Sequence, residues 1–474
     1  MMGMRVQDAI DGIIEKNRDQ LVDAVAQFVK IPSVKGKALP GKPFGKRVDD
    51  ALNFALDLAS GMGFNTRNLD GMIGYAEYGD GELVGVLTHV DVVPEGNLDD
   101  WEYPPYEGIV HEGILHGRGA VDDKGPLVST LYGLKALKEA DLPVSKKVRV
   151  LFGTDEESGW GGIAHYLKHE AAPSCGFSPD GMFTVVNREK GITVVALEKT
   201  DASDRLHDVT LSSVTGGTAP NSVPDRAQAT IHCRGRAQEA VLEACERFRS
   251  KHRDMDFSVE SEDSEIVVMV RGQSAHAMAP EQGKNAIADL LRLLTHLPLG
   301  DQPMVEFVRL LDSEIGTDYT GKSLGMAWAD ATSGSLTVNL GTIRIDQSHA
   351  EAVLDIRSPV SYTCKQVIDA LQSKLGSAGI TLSVKTSKEP LHVPADHPLV
   401  ETLVNVYQEV TGREAVLHAI GGGTYARAVS NCVCFGSVYP DEKITVHRAN
   451  ERVAVESLIL NAKIYGRALF ELLS

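Results

Sequence analysis

Five side chains in this chain could together hold a pair of divalent cations: His89, Asp122, Glu157, Asp180 and His447. The first lies in Thr88-His89-Val90-Asp91, after the apolar run Leu83-Val84-Gly85-Val86-Leu87. Strand side chains alternate, so Asp91 is expected on the same face as His89, where a carboxylate can hold the second imidazole nitrogen. The second motif is Gly117-Arg118-Gly119-Ala120-Val121-Asp122-Asp123-Lys124-Gly125. Its glycines permit a sharp bend, and Asp122 could bridge two cations. The third, Thr154-Asp155-Glu156-Glu157-Ser158-Gly159, puts three consecutive carboxylates at a strand end, which is costly unless they are solvated or bound to cations. The fourth pairs Ser178-Pro179-Asp180 with the distant Val446-His447-Arg448-Ala449-Asn450-Glu451. Each motif alone reads as an ordinary turn, cap or acidic loop. Together they supply the nitrogen and oxygen donors that two borderline divalent ions prefer: one His and one terminal carboxylate per ion, Asp122 shared, and open positions for water and substrate.

Positioning these residues requires strands that end together. Residues 83–87 and 147–152 read as buried strands, 125–140 as the helix after the glycine-rich motif, and 47–60 as another helix. Residues 5–30 read as one amphipathic helix, with Ile10, Ile13, Ile14, Leu21, Val22, Val25 and Val29 near helical spacing. Strands alternating with helices predict a mostly parallel sheet, covered on both faces, with ligands at the carboxyl ends of its strands. From about 190 to 389 strand-like alternation dominates, as in Ala229-Thr230-Ile231-His232-Cys233 and Ile266-Val267-Val268-Met269-Val270, with a helix over 285–297. The last part returns to helix and strand and ends in a long helix from about 455. An inserted domain explains this order: 1–189 and 390–474 form one domain, and 190–389 the insertion.

The formal net charge of −18, from 65 acidic and 47 basic residues, argues against a nucleic-acid partner. Six cysteines scattered over this length are no disulfide framework, and Cys432 and Cys434 read as buried strand residues rather than a metal pair. Residues 1–8 lack an apolar core of signal-peptide length and no run of 18 apolar residues occurs, so the expectation is a cytoplasmic protein without a membrane span.

The ordered motifs 88–93, 117–125, 153–160, 177–180, 274–286 and 421–427 resemble those of the M20 metallopeptidases, in particular the bacterial dipeptidases of the PepV, carnosinase-like group. The resemblance spans nearly the whole chain. It implies an α/β fold: a mixed-sheet two-metal hydrolase domain with an inserted α+β lid. It further implies that His89 and Asp180 bind one ion, Glu157 and His447 the other, and Asp122 both, with Asp91 orienting His89 and Glu156 as general base. The ions would be zinc, with manganese or cobalt as alternatives. A cis peptide bond is implied after Asp122. In the lid, Asn221, His276 and Arg357 match substrate-contacting positions, and a chain with such a lid can act as a monomer. Read alone, His276 would be a turn histidine and Arg357 a surface charge. Gly421-Gly422-Gly423-Thr424 lacks the lysine and spacing of a phosphate loop and reads instead as a backbone cradle for a substrate carboxylate. His111 and His116 match no ligand position and read as structural.

The expected function is hydrolysis of short peptides, chiefly dipeptides with a free amino terminus, by water that Glu156 deprotonates, with His276 donating to the oxyanion. A deacylase of N-acyl amino acids on the same fold is the alternative, and a non-catalytic metal-binding protein the second. The last has no need of a general base beside its ligands.

Overall fold

The apolar run ending at His89 forms the central strand Leu83–His89 of a mixed sheet. The computed structural model describes residues 2–200 and 208–474, with side chains from residue 6 onward at the amino end. The chain divides into two compact units: residues up to Asn187 with His392–His418 and Gly423–Ser474, and Arg188–Leu391 with Ala419–Gly422.

The nine-stranded sheet runs in the order Asn65–Leu69, Ile73–Tyr78, Lys147–Gly153, Leu83–His89, Cys175–Ser178, Cys432–Cys434, Val185–Glu189, Leu391–His392, with Leu417–Ile420 also paired to Val185–Glu189. The three pairings from Lys147–Gly153 to Cys432–Cys434 are parallel and the neighbouring pairings on both sides are antiparallel, so the parallel character is confined to the centre. In the parallel register His89 lies opposite Gly153, so these strands end side by side and the segments leaving them start from one edge. Cys432 and Cys434 are buried in their short strand and unpaired as disulfides.

Two helices cover this sheet in close contact, Lys124–Glu139 and Val455–Leu473. Gly133 makes the contact possible, since a Cβ there would lie 2.7 Å from the carbonyl oxygen of Ala462 and 2.7 Å from the nitrogen of Gly466. The amino-terminal apolar pattern forms two helices rather than one, Met2–Lys16 and Arg18–Val29. The break falls at the buried Asn17, whose amide donates back to the Ile13 carbonyl (2.8 Å) while Lys135 donates to its side-chain oxygen (2.7 Å). A side chain that competes for main-chain partners ends a helix that periodicity alone would continue.

The second unit is an antiparallel eight-stranded sheet in the order Asp256–Glu262, Glu265–Arg271, Arg226–Cys233, Val209–Gly216, Thr337–Ile345, His349–Ser358, Gly191–Thr200, Thr381–Lys388. Its core lies between one sheet face and helices that include Arg236–Lys251, Ala286–Thr295 and Pro303–Glu314. Alternating burial along Arg226–Cys233 shows one covered face. The fold is therefore mixed α/β. Among the described residues no helix is long and apolar enough to cross a membrane.

Gly133→Ala is expected to lower the thermal unfolding midpoint. Overpacking costs about 1–3 kcal/mol, more than the roughly 0.5–1 kcal/mol gained from helix propensity. A midpoint at or above the parent's would show that the two helices can separate without cost.

Candidate metal centre

His89 closes its strand with both ends of the residue held. Its backbone N–H donates to Asp123 Oδ2 (3.1 Å), and its ring Nδ1 lies 2.9 Å from the main-chain oxygen of Asp91. A carbonyl only accepts, so Nδ1 carries a proton and Nε2 faces the site. The Asp91 carboxylate is 3.7 Å from Nδ1 and is engaged elsewhere, since its oxygens accept the backbone N–H groups of Glu156 and Glu157, each at 3.1 Å. The Asp91 carboxylate thus stands beside the imidazole, while the nearer partner of Nδ1 is the Asp91 main-chain oxygen. The strand ends at His89, so alternation does not extend to Asp91, and the main chain orients the ring.

The three consecutive acids after Gly153 separate in space. Asp155 turns away, accepting from Lys35 Nζ (2.7 Å) and the Gly161 N–H (3.0 Å). Glu157 Oε1 lies 3.0 Å from His447 Nε2. Glu156 Oε1 is buried without a hydrogen-bond partner. A lysine and a backbone N–H thus engage Asp155, His447 engages Glu157, and Glu156 Oε1 is left over.

Asp122 stands in the middle. Its Oδ1 is 2.9 Å from His89 Nε2 and its Oδ2 is 2.9 Å from His447 Nε2. Asp180 Oδ2 lies on the His89 side, 3.9 Å from Nε2. The peptide bond between Asp122 and Asp123 is cis, as is that between Phe183 and Thr184. Ligand-type atoms of His89, Asp122 and Glu157 all lie within 4.8 Å of one another, as do those of His89, Glu156 and Asp180.

The donors fit a cation. His89 Nε2 and Asp122 Oδ1 are both buried without a hydrogen-bond partner, although they face each other at 2.9 Å. At that separation positive charge must lie between the two atoms, a proton on Nε2 in the metal-free site or a cation in its place. The ionisation of the site has the same cause. Burial disfavours the charged form of His447, but hydrogen bonds to Asp122 and Glu157 outweigh it and lift its pKa to about 11. Burial and then the Asp122 charge raise the Asp180 carboxyl to about 7. Burial, with Asp180, Glu157 and Asp91 nearby, pushes Glu156 well above the carboxylate range despite the opposing pull of His89. The cluster therefore attracts protons, and by the same field divalent cations.

Sequence reasoning assigned no role to Glu451, four residues after His447. It is fully buried and paired with Arg118 Nη1 at 2.6 Å. Its only sequence signal is its place in the His447 motif. His116, buried, packs against Tyr103 with ring centroids 4.4 Å apart and the planes tilted by 43°, and the exposed His111 bonds the Tyr103 hydroxyl at 3.1 Å; among the described residues neither belongs to the ligand-type groups.

The second unit brings together Asn221 and His276, and separately Arg357 and Gly421. The Ala277 N–H donates to the Asn221 carbonyl (2.9 Å), and Ser222 and His276 form an isolated bridge. His276 Nδ1 accepts the Met278 N–H at 3.1 Å, leaving the ring proton on Nε2. Arg357 is not a surface charge: it is 5% exposed, forked by Asp355 (Nε to Oδ1 2.6 Å, Nη2 to Oδ2 2.7 Å), and donates to the Gly421 carbonyl at 3.1 Å. Gly421 and Gly422 belong to this unit, whereas Gly423 and Thr424 belong to the first, where the Thr424 hydroxyl accepts the Ala426 N–H (3.2 Å).

The description "Peptidase family M20/M25/M40" matches residues 85–471. The Bacillus subtilis (strain 168) protein YtjP, named as a candidate dipeptidase, is 38% identical over 97% of this chain and 98% of its own length. A Staphylococcus epidermidis protein, also named as a candidate dipeptidase, is 31% identical over 96% of this chain and 97% of its own. Among solved structures, human carnosine dipeptidase 1 superposes with a TM-score of 0.57 at 15% identity, over 98% of this chain and 99% of that one. The Saccharomyces cerevisiae di-peptidase Dug1p does so with a TM-score of 0.59 at 14% identity, over 98% of both chains. At those identities the structural likeness speaks for the fold. The family match over most of the chain and the full-length relatives speak for descent, and this chain belongs to peptidase family M20/M25/M40 as a hydrolase of peptide bonds.

Proposed function

We propose that this hydrolase is a metal-dependent dipeptidase acting on short peptides with a free amino terminus. The observation that carries the reading is Glu156: a buried carboxylate oxygen without a partner, beside Glu157 and within 4.8 Å of donor atoms of His89 and Asp180. His89 and Asp180 would hold one ion, Glu157 and His447 the other, and Asp122 both. The donor set suits zinc and equally admits manganese or cobalt. Bound there, two divalent ions supply positive charge that polarises the scissile carbonyl and acidifies water. Glu156 accepts the proton of the attacking water and returns it to the leaving amine, a role open to a carboxylate oxygen that no other group of the site engages. Asp91 keeps that carboxylate aimed by holding the backbone N–H groups of residues 156 and 157.

For the substrate's far end the reading assigns Asn221, Arg357 and the backbone of Gly421, Gly422, Gly423 and Thr424 to the terminal carboxylate, and His276 Nε2–H to the oxyanion. The names of the relatives, candidate dipeptidases, accord with a short substrate held at both ends. A third residue would move the carboxylate off its donors and leave them unpaired, at a cost of about 1–3 kcal/mol.

Glu156→Ala should reduce kcat by about 100-fold or more while leaving two metal equivalents bound, as read by metal analysis beside a rate assay. Activity within tenfold of the parent would remove Glu156 from the chemistry. For the far end, kcat/KM for a dipeptide should exceed that for its C-terminal amide and for a tripeptide by about tenfold or more. Arg357→Lys should erase most of that preference, because a point charge cannot replace a fork. Equal rates on all three substrates in the parent would replace the dipeptidase reading with a broader aminopeptidase. Finally, the metal-free site is protonated at neutral pH, with His447 near 11 and Asp180 near 7. Metal uptake must then release protons, and affinity must fall as pH drops. Calorimetry in two buffers of different ionisation enthalpy reads the release directly; identical heats would contradict it.

A further inference from the structure

We propose that Glu451 is a positioning residue for the two ligands Asp122 and His447, acting through the backbone of residues 119–122 and in partnership with Arg118. The inference rests on the metal-dependent reading above. Glu451 Oε1 accepts three backbone N–H groups, those of Gly119 (3.0 Å), Val121 (3.0 Å) and Asp122 itself (3.2 Å). Oε2 accepts Arg118 Nη1 at 2.6 Å. The main-chain oxygen of Glu451 accepts the Gly117 N–H at 2.9 Å, so one residue grips the glycine-rich turn at both of its ends.

Converging N–H groups form a concavity that selects an anion. Here the anion is supplied by the protein, and the turn it shapes presents the carboxylate that faces both histidines. Glu451 also ends the segment that carries His447. Asn450, next to it, accepts the Glu102 N–H (2.6 Å) and donates to the Asp100 carbonyl (2.8 Å), which pins that segment from its other side. The separation of Asp122 from His447, two ligands more than three hundred residues apart in sequence, is thus set by one buried carboxylate and its neighbour.

Stability alone does not account for this pair. Glu451 is fully buried and Arg118 is 2% exposed. Well-packed apolar residues commonly replace buried ion pairs at no loss of stability. What an apolar pair cannot do is satisfy three N–H groups and fix the turn that bears Asp122. Aspartate, one methylene shorter, keeps the charge but cannot reach both the turn and Arg118. Glutamine keeps the length but turns an amide NH2 toward Arg118 or toward the N–H groups.

The test is a cobalt(II) titration of the metal-stripped, full-length protein, followed by its visible absorption, in the parent, Glu451→Asp and Glu451→Gln. Disturbing groups that orient metal ligands typically costs about 10–100-fold in affinity. That loss is expected in both variants, with far-UV circular dichroism unchanged, KM within about twofold of the parent's, and kcat recovering as cobalt is raised to excess. A folded variant that binds two equivalents with the parent's affinity overturns the inference. So does failure of both variants to fold, which would make the role structural. A parent that takes up no cobalt instead overturns the metal-dependent reading itself, so the two failures are distinguishable.

Discussion

The constraint on which this structure turns is the crowding of like charge at one edge of a sheet. Asp91, Asp122, Asp123, Glu156, Glu157 and Asp180 converge where the parallel strands end, and Asp155 starts from the same turn. At a few ångströms such charges repel strongly once water is excluded. The fold meets this with main-chain donors more than with cationic side chains. Asp91 takes two N–H groups, Glu451 three, and Asp123 one. Backbone donors cost no side-chain entropy to place and do not compete as cations for the central position. The atoms left over include His89 Nε2, Asp122 Oδ1 and Glu156 Oε1, those proposed for metal and for proton transfer, and also Asp123 Oδ1.

Sheet register converts sequence into that geometry. Because His89 lies opposite Gly153, the residues that follow each strand leave from a common level. The Cys432–Cys434 strand lies next to Cys175–Ser178 in parallel, with Cys434 opposite Ser178, and the Cys434 thiol lies 3.2 Å from the Asp180 carbonyl. A slip of one residue in any of these pairings would move that strand's side chains to the opposite face of the sheet and shift where it ends. The apolar composition of the central strands is therefore part of the site's definition as well as of the core.

Much of this was legible before the structure. Leu83–His89, Lys147–Gly153, Lys124–Glu139 and Val455–Leu473 announce themselves by apolar runs and periodicity, because packing against one core leaves a local trace. The residues His89, Asp122, Glu157, Asp180 and His447 could be singled out because each sits in a short motif beside such an element. What escaped was everything decided at long range or by a single competing side chain. Asn17 broke a helix that periodicity joined. The partnership of Glu451 with Arg118 and the 119–122 backbone links segments with no shared sequence signal. The strand order of the second unit likewise cannot be read from alternation, which reports only that one face is covered.

Two pairs with the same spacing show how local conformation decides such cases. His89 and Asp91, like Asp355 and Arg357, are separated by one residue. Asp355 and Arg357 lie inside the strand His349–Ser358, where alternation puts both on one face, and the carboxylate forks the guanidinium through Nε and Nη2. Arg357 is thereby held in one orientation, with less side-chain freedom than an arginine in solvent. His89 is the last residue of its strand, and the chain has turned by Asp91. There the same spacing offers the ring a main-chain carbonyl and releases the carboxylate to hold residues 156 and 157. An H-x-D motif at a strand's end is thus a means of coupling two loops, whereas D-x-R within a strand is a means of orienting one side chain, and only the strand boundary distinguishes them.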